Sequence, residues 1–269
     1  MIILGSDEAG YGPNLGPLVV SLTVWEASSD DLSFLFEPLK KAGITIADSK
    51  KLYSGGSLAA LESGVLAPLR SLNNTSPLAD DFSMILHQHQ TRLLDMRYRT
   101  VEPEEFNRLL DQFNSKGSLL SHVTLRLISD QLKKLVQENK TTPILVLCDK
   151  HGGRNHYLDI LTEFFPGEFI QPVQESRESS VYFLNWQGRQ LEFRFLAKGE
   201  SNLPIALASM LSKYQRELAM ARFNEFWRSH VPGLKPTAGY PEDAKRFKQQ
   251  IAAAQERLGI ADKCLWRKR

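Results

Sequence analysis

The chain has little of what would set it apart from an ordinary globular protein. It holds only two cysteines, Cys148 and Cys264, in 269 residues. That is too few for a disulfide framework or a cysteine-built zinc site, so buried thiols are expected. No apolar run reaches the roughly 18 residues that a membrane span needs, so no membrane association is expected. The short apolar run at the N-terminus has no basic segment ahead of it and stops at Asp7-Glu8. A secretory signal is therefore not expected, and a cytoplasmic location is the default. There is no internal repeat, low-complexity stretch or linker. The 42% hydrophobic and 24% charged composition suits a chain that buries a sizeable core.

Net charge is also small, at +2, but it is unevenly spread. Residues 205–269 carry 13 Lys+Arg against 6 Asp+Glu, while the remainder carries 20 against 25. A basic back behind an acidic front fits either a nucleic-acid-binding region or helix faces solvated by lysine and arginine.

Strands are expected at Ile2–Ser6 and Leu18–Trp25, with a short one at Gly43–Ala47. Residues 54–72 have helical periodicity, and Asn73–Pro77 reads as a loop. Met84–Arg99 fits strand or helix, and Glu102–Glu138 fits two helices. The continuous apolar run Pro143–Asp149 predicts a buried central strand that ends in a carboxylate. Ser179–Glu200 reads as a hairpin turning at Gln187-Gly188. Helices follow at Tyr157–Phe165, Pro204–His230 and Asp243–Leu258. Hairpins mixed with helix-connected strands predict an α/β fold, a mixed sheet flanked by helices, with a helical C-terminal region.

The most unusual stretch is "DEAGYGPNLGPLVV", Asp7–Val20. A dinucleotide-binding loop would need a helix directly after the glycines. Here Pro13 and Pro17 intervene and a strand-like run follows. A plain turn accounts for the glycines and prolines, but less well for two adjacent carboxylates. Side chains alternate along a strand, so Asp7 and Glu8 share a site only if the strand ends between them. Paired carboxylates repel, and a hard divalent cation is a common relief. Asp149 and Glu200, at the ends of other buried elements, are candidate further ligands. Taken separately, each also fits a turn-forming or helix-start acid.

These residues resemble the first motif of the type 2 ribonucleases H, the ribonuclease HII and HIII family. Four further segments follow in that family's order. They are "ADSKKL" (Ala47–Leu52), "LVLCD" ending at Asp149, "GESNLPIALASMLSKYQRE" (Gly199–Glu217) and "PTAGYPEDAKRF" (Pro236–Phe247). "CLWRKR" sits where the family has a short basic ending. The resemblance spans essentially the whole chain. It implies a ribonuclease H-like fold, with residues 1–230 as the catalytic domain and 231–269 as a basic, helical substrate-binding extension packed on it. It also implies a catalytic and metal-binding set of Asp7, Glu8, Asp149 and Glu200 holding Mg²⁺ or Mn²⁺ as a two-metal site. The implied substrate is an RNA–DNA hybrid or ribonucleotide-containing DNA, cut in its RNA strand or at the ribonucleotide, by a monomer. Gly10, Tyr11, Gly12, Lys50, Lys51, Lys213 and Tyr240 are the implied substrate-binding residues. Ser49 and Ser209 lie inside matched motifs.

The chain departs from the family at several places. Position 11 is tyrosine, where ribonuclease HII has arginine and ribonuclease HIII lysine. Glu200 is glutamate, as in the HIII type. In "DKHGGRNHY", Arg154 or His151 are candidates to replace the missing cation, and His151 is also a candidate proton shuttle. The alternatives are a related nuclease of altered duplex or junction specificity, and a non-catalytic nucleic-acid binder.

Overall fold

A computed structural model describes residues 1–53, 58–73, 76–138 and 142–268. Among these residues seven strands form one sheet: β1 (Ile2–Ala9), β2 (Leu18–Glu26), β3 (Arg92–Val101), β4 (Ile144–Asp149), β5 (Ile170–Glu175), β6 (Ser179–Trp186) and β7 (Arg189–Leu196). Their order is β3-β2-β1-β4-β7-β6-β5. The central β1–β4 and β4–β7 pairs are parallel, and hairpins flank them on both sides. The helices are α1 (Phe36–Lys41), α2 (Ser49–Leu52), α3 (Ala59–Ser71), α4 (Pro77–Gln88), α5 (Pro103–Phe113), α6 (Lys116–Glu138), α7 (Leu158–Phe164), α8 (Leu203–His230) and α9 (Pro241–Arg257).

The central strands are apolar throughout because helices cover both faces. Ile3, Leu145 and Leu147 pack with α3, α4 and the start of α8. Ile2, Leu4, Ile144, Val146 and Cys148 pack with α6 and α7 on the other side. Gly5 lets α8 begin directly on β1, since a Cβ there would collide with the Pro204 backbone. Thr23 completes the joint by donating from Oγ1 to the Pro204 carbonyl at 2.9 Å. This contact sets the long helix across the strand that carries Asp7.

Several expectations change. β1 runs on through Asp7 and Glu8 to Ala9 instead of ending at Ser6. Residues 44–48 belong to no strand; Ile44 and Ile46 are buried under helices, so their alternation reflects burial and not pairing. Met84–Arg99 divides into the end of α4 and the start of β3. Pro77 opens α4, with Ser76 Oγ accepting from the Ala79 N–H, and residues 54–57 and 74–75 of the expected helix and loop lie outside the described residues. The unexpected β5 is polar and carries Pro172, which an edge strand tolerates. Cys148 is buried, but Cys264 is exposed.

Residues 231–268 do not stand apart. Phe247, Ile251 and Ala254 of α9 pack on Trp227 of α8, and the chain then returns to pair Trp266 with Leu15. Among the described residues no helix is long and apolar enough to cross a membrane.

Candidate metal centre and glycine loop

The register of the parallel pair creates the centre. Ser6 pairs with Cys148, so the next residues, Asp7 and Asp149, leave the sheet side by side. By alternation both lie on the face of Ile3, Leu145 and Leu147, beneath α8. β1 stays paired with β2 out to Ala9, while its pairing with β4 stops at Ser6. One edge of Asp7–Ala9 is thereby open. Glu200 arrives on a 3₁₀ turn, Gly199–Ser201, just before α8.

The carboxylates feel one another strongly. Burial, then the charge of Asp149, pushes Asp7 up from the ordinary 3.8 to about 7, and Glu200 adds to the push. Burial, then Asp7 and Asp149, holds Glu8 well above the usual range. Asp149 is raised for similar reasons. Two backbone amides partly offset this: Glu8 N–H donates to Asp7 Oδ1 at 2.7 Å, and Gly199 N–H to Asp149 Oδ1 at 2.9 Å.

The donor set is all oxygen, acidic and crowded, which is the chemistry that hard divalent ions favour. Among the described residues, however, no group of three or more His, Cys, Asp or Glu side chains is already arranged to hold a metal ion. The four acids are electrostatic neighbours and not a closed ligand shell.

Asp48 caps α2 by accepting from the Lys50 N–H at 2.9 Å, which displays Lys50 and Lys51. Both lysines line a cavity of about 910 Å³ together with Asp149, Glu200 and Lys198. Lys50 faces the acids closely enough for Glu200 and Asp7 to raise its pKa against the opposing effect of burial. Ser49 and Ser209 are buried and share a hydrogen bond at 3.0 Å, and Ser209 also hydrogen-bonds Asp7. The two serines therefore connect the lysine turn to the carboxylate centre. Lys213 is engaged elsewhere: it pairs with Glu217 at 2.6 Å and lies over the Tyr53 ring.

The two glycines of the loop differ. Gly10 has φ 90°, and a Cβ there would lie 2.5 Å from the Pro17 carbonyl oxygen and 2.6 Å from Arg216 Nε. Its side chain is excluded from inside the protein, not by a ligand. Gly12 lacks a positive φ and is exposed. Among the described residues beyond its chain neighbours, a Cβ on it would approach Tyr240 Cε1, at 4.0 Å. Tyr240 is held there because Asn14 and Leu15 donate their N–H groups to the Gly239 carbonyl, and the residue is 54% exposed.

Comparison with known proteins adds to this geometry. No protein-family model matches the chain. Over 259 residues, 96% of its length, it is 26% identical to a ribonuclease HIII of Bacillus cereus, and a Bacillus anthracis ribonuclease HIII matches equally. It spans 64% of the length of these relatives. The fold superposes on ribonuclease HII in its complex with PCNA from Archaeoglobus fulgidus at a TM-score of 0.54 and 18% identity, covering 100% of this chain and 95% of that one. Bst-RNase HIII in complex with Mn²⁺ gives 0.54 at 17% identity, covering 99% and 66%. The chain is thus similar in sequence, at low identity, to ribonucleases HIII, and its fold is that of the solved ribonucleases HII and HIII.

Tyr11 does not reach outward into the open side of the loop. It joins the apolar cluster of Leu18, Phe106 and Leu120, and its hydroxyl packs so tightly on Gly152 that no Cβ would fit there. His151 is not placed as a proton shuttle. It is buried, its Nδ1 meets Ser121 Oγ at 3.0 Å, and burial drives its pKa down to about 3. Arg154 also turns inward, to Ser121 and the Tyr157 ring. Both were candidates from sequence proximity alone, and the buried Ser121 and Tyr157 claim them.

Sequence reasoning also missed three residues. Lys150 is buried, with its ammonium on Asn155, Ser180 and the Ser176 carbonyl, and so fixes the loop after Asp149. Arg216 donates to the Ala238 carbonyl at 3.0 Å beside Gly10. Arg267 is fully buried under the loop. The basic "CLWRKR" ending was the one available signal for Arg267.

Proposed function

We propose that the protein is a divalent-metal-dependent endoribonuclease that cleaves the RNA strand of RNA–DNA hybrids, or cleaves at ribonucleotides embedded in duplex DNA. The observation that carries this reading is the crowding of Asp7, Asp149, Glu8 and Glu200 at the open end of the central parallel strands. Such a cluster would repel a nucleic-acid backbone, so its presence beside a lysine-lined cavity favours an enzyme over a mere binder.

Asp7, Glu8, Asp149 and Glu200 would hold Mg²⁺ or Mn²⁺. Bound as a pair, such ions supply water activation and stabilisation of the leaving 3′-oxygen in an in-line displacement. Lys50 and Lys51 draw the scissile strand's phosphates into the cavity. Ser209 orients Asp7. Exposed Gly12 gives the ribose 2′-hydroxyl access to backbone, and Tyr240 covers the same ribose. That hydroxyl is what separates RNA from DNA. Residues 1–230 form the catalytic part, and 231–269 contribute Tyr240 and the loop's support. The protein acts as a monomer in the cytoplasm.

The inward turn of Tyr11 favours one second reading, a related nuclease whose duplex preference has shifted. Cleavage of four matched duplexes (hybrid, single ribonucleotide, all-DNA, all-RNA) with Mg²⁺ or Mn²⁺ separates the two. Cleavage confined to ribose-containing strands, and lost in Asp7→Asn, is expected. Equal cleavage of all-DNA would refute ribose recognition, and an active Asp7→Asn would refute the metal assignment.

A further inference from the structure

Arg267 is 0% exposed. Its Nη1 donates to the Gly10 carbonyl at 2.6 Å and its Nη2 to the Tyr11 carbonyl at 2.9 Å. Its guanidinium lies 3.9 Å from the centre of the Phe106 ring. Among the described residues it forms no ion pair. Burial, then neighbouring Arg216, lowers its pKa to about 9, which leaves it charged at neutral pH. A buried cation without an anion is costly, so this placement requires a rigid frame.

The frame is present. Arg267 N–H donates to the Asn14 carbonyl at 2.8 Å, and Asn14 Nδ2 returns a bond to the Arg267 carbonyl at 3.2 Å. Asn107 of α5 clamps both sides: its Nδ2 donates to the Trp266 carbonyl at 2.8 Å and its Oδ1 accepts from Lys268 N–H at 2.7 Å.

A trans peptide points its N–H opposite to its C=O. With the Gly10 and Tyr11 carbonyls turned down onto Arg267, the Tyr11 and Gly12 N–H groups are turned away from it. Among the described residues neither N–H has an acceptor. We infer that Arg267 is the positioning residue of the substrate loop, supplying from beneath the positive charge that position 11 lacks and fixing two amide donors toward the ribose-phosphate backbone. The inference rests on the ribonuclease reading above. The guanidinium touches no substrate itself; it acts through the two peptide groups, as a bidentate fork that lysine cannot copy.

The test compares wild type, Arg267→Met and Arg267→Lys. Binding of a hybrid and of a same-sequence DNA duplex is followed by fluorescence anisotropy with Ca²⁺ in place of the catalytic metal. Hydrogen exchange of peptides covering residues 8–17 and Mn²⁺ titration calorimetry are run in parallel. Arg267→Met should bind hybrid about tenfold more weakly, as expected when two amide donors lose their preorganised direction. Its preference for hybrid over DNA should collapse, and exchange should rise at 8–17 but not in β4 or α6. Mn²⁺ affinity should be unchanged. Arg267→Lys should fall between the two. A folded Arg267→Met with the wild-type preference overturns the proposal. If that variant does not fold, an Arg267→Lys equal to wild type in preference and exchange overturns it instead. A wild type with no preference for hybrid overturns the ribonuclease reading and this inference together.

Discussion

The two ends of one short motif are built on opposite physical terms. At its start, Asp7 and Glu8 are forced against Asp149 and Glu200, and burial raises the pKa of the first two. Three residues on, the glycine loop is held from within: Arg267 takes two of its carbonyls, and the Gly239 turn takes the N–H groups of Asn14 and Leu15. The first end is strained by its crowded like charges, and the second is preformed. Removing a charge should therefore stabilise the first end while abolishing function, whereas adding atoms to the second should either break the fold or blunt specificity. Functional sites often carry such strain at a cost in stability.

The largest expected effect is on the carboxylate end. Asp7→Asn should lower kcat on hybrid by on the order of a thousandfold while duplex affinity holds, because a transition-state interaction is lost. Single-turnover cleavage against anisotropy would separate the two. Next is Gly10→Ala, which places a methyl group against the Pro17 carbonyl and Arg216 at φ 90°. A loss of about 2–4 kcal/mol in denaturant unfolding is expected.

A third effect sharpens the contrast. Between pH 4 and 7 the folded metal-free protein keeps a proton on Asp7 that the unfolded chain releases. The stability tied to that group is present at low pH and is lost as pH rises through about 7. Asn at position 7 needs no such proton. The Tm gain of Asp7→Asn over wild type in chelator should thus be large at pH 8 and small at pH 4.5.

Smaller again is Gly12→Ala, which should leave Tm nearly unchanged yet reduce the hybrid-to-DNA preference severalfold in kcat/KM. Equal loss of Tm in Gly10→Ala and Gly12→Ala would erase the distinction between the glycines. Smallest is Ser209→Ala, which removes a hydrogen bond to Asp7. A cost of about 1 kcal/mol is expected, with a modest alkaline shift of the pH–activity midpoint.

Much of the fold was legible because its signals are local. The unbroken run before Asp149 gave a buried strand, Gln187-Gly188 gave the hairpin, and Pro204 marked the long helix. Where the reading failed, tertiary burial imitated a strand, as at Ile44 and Ile46, or polarity hid one, as in β5. The order of the motifs brought forward Asp7, Asp149, Glu200 and Tyr240. It could not show that Asp7 and Asp149 would be lateral neighbours, since that depends on the β1–β4 register. Nor could it separate Gly10 from Gly12, because one answers to Arg216 inside and the other to solvent. Lys213 follows from a matched motif, and His151 and Arg154 from sequence proximity alone; in the fold Lys213 is engaged by Glu217 and Tyr53, His151 by Ser121, and Arg154 by Ser121 and the Tyr157 ring. Arg267 lies more than 250 residues from the carbonyls it binds, and no local pattern marks such a contact.

The central claim is that a destabilised carboxylate centre is completed by a divalent cation. Titration calorimetry of Mn²⁺ into wild type and Asp7→Asn at pH 8 tests it most directly. Saturable binding that raises the wild-type Tm, and that is absent or greatly weakened in Asp7→Asn, is the expected result. No binding to wild type, or equal binding to both proteins, would contradict the account.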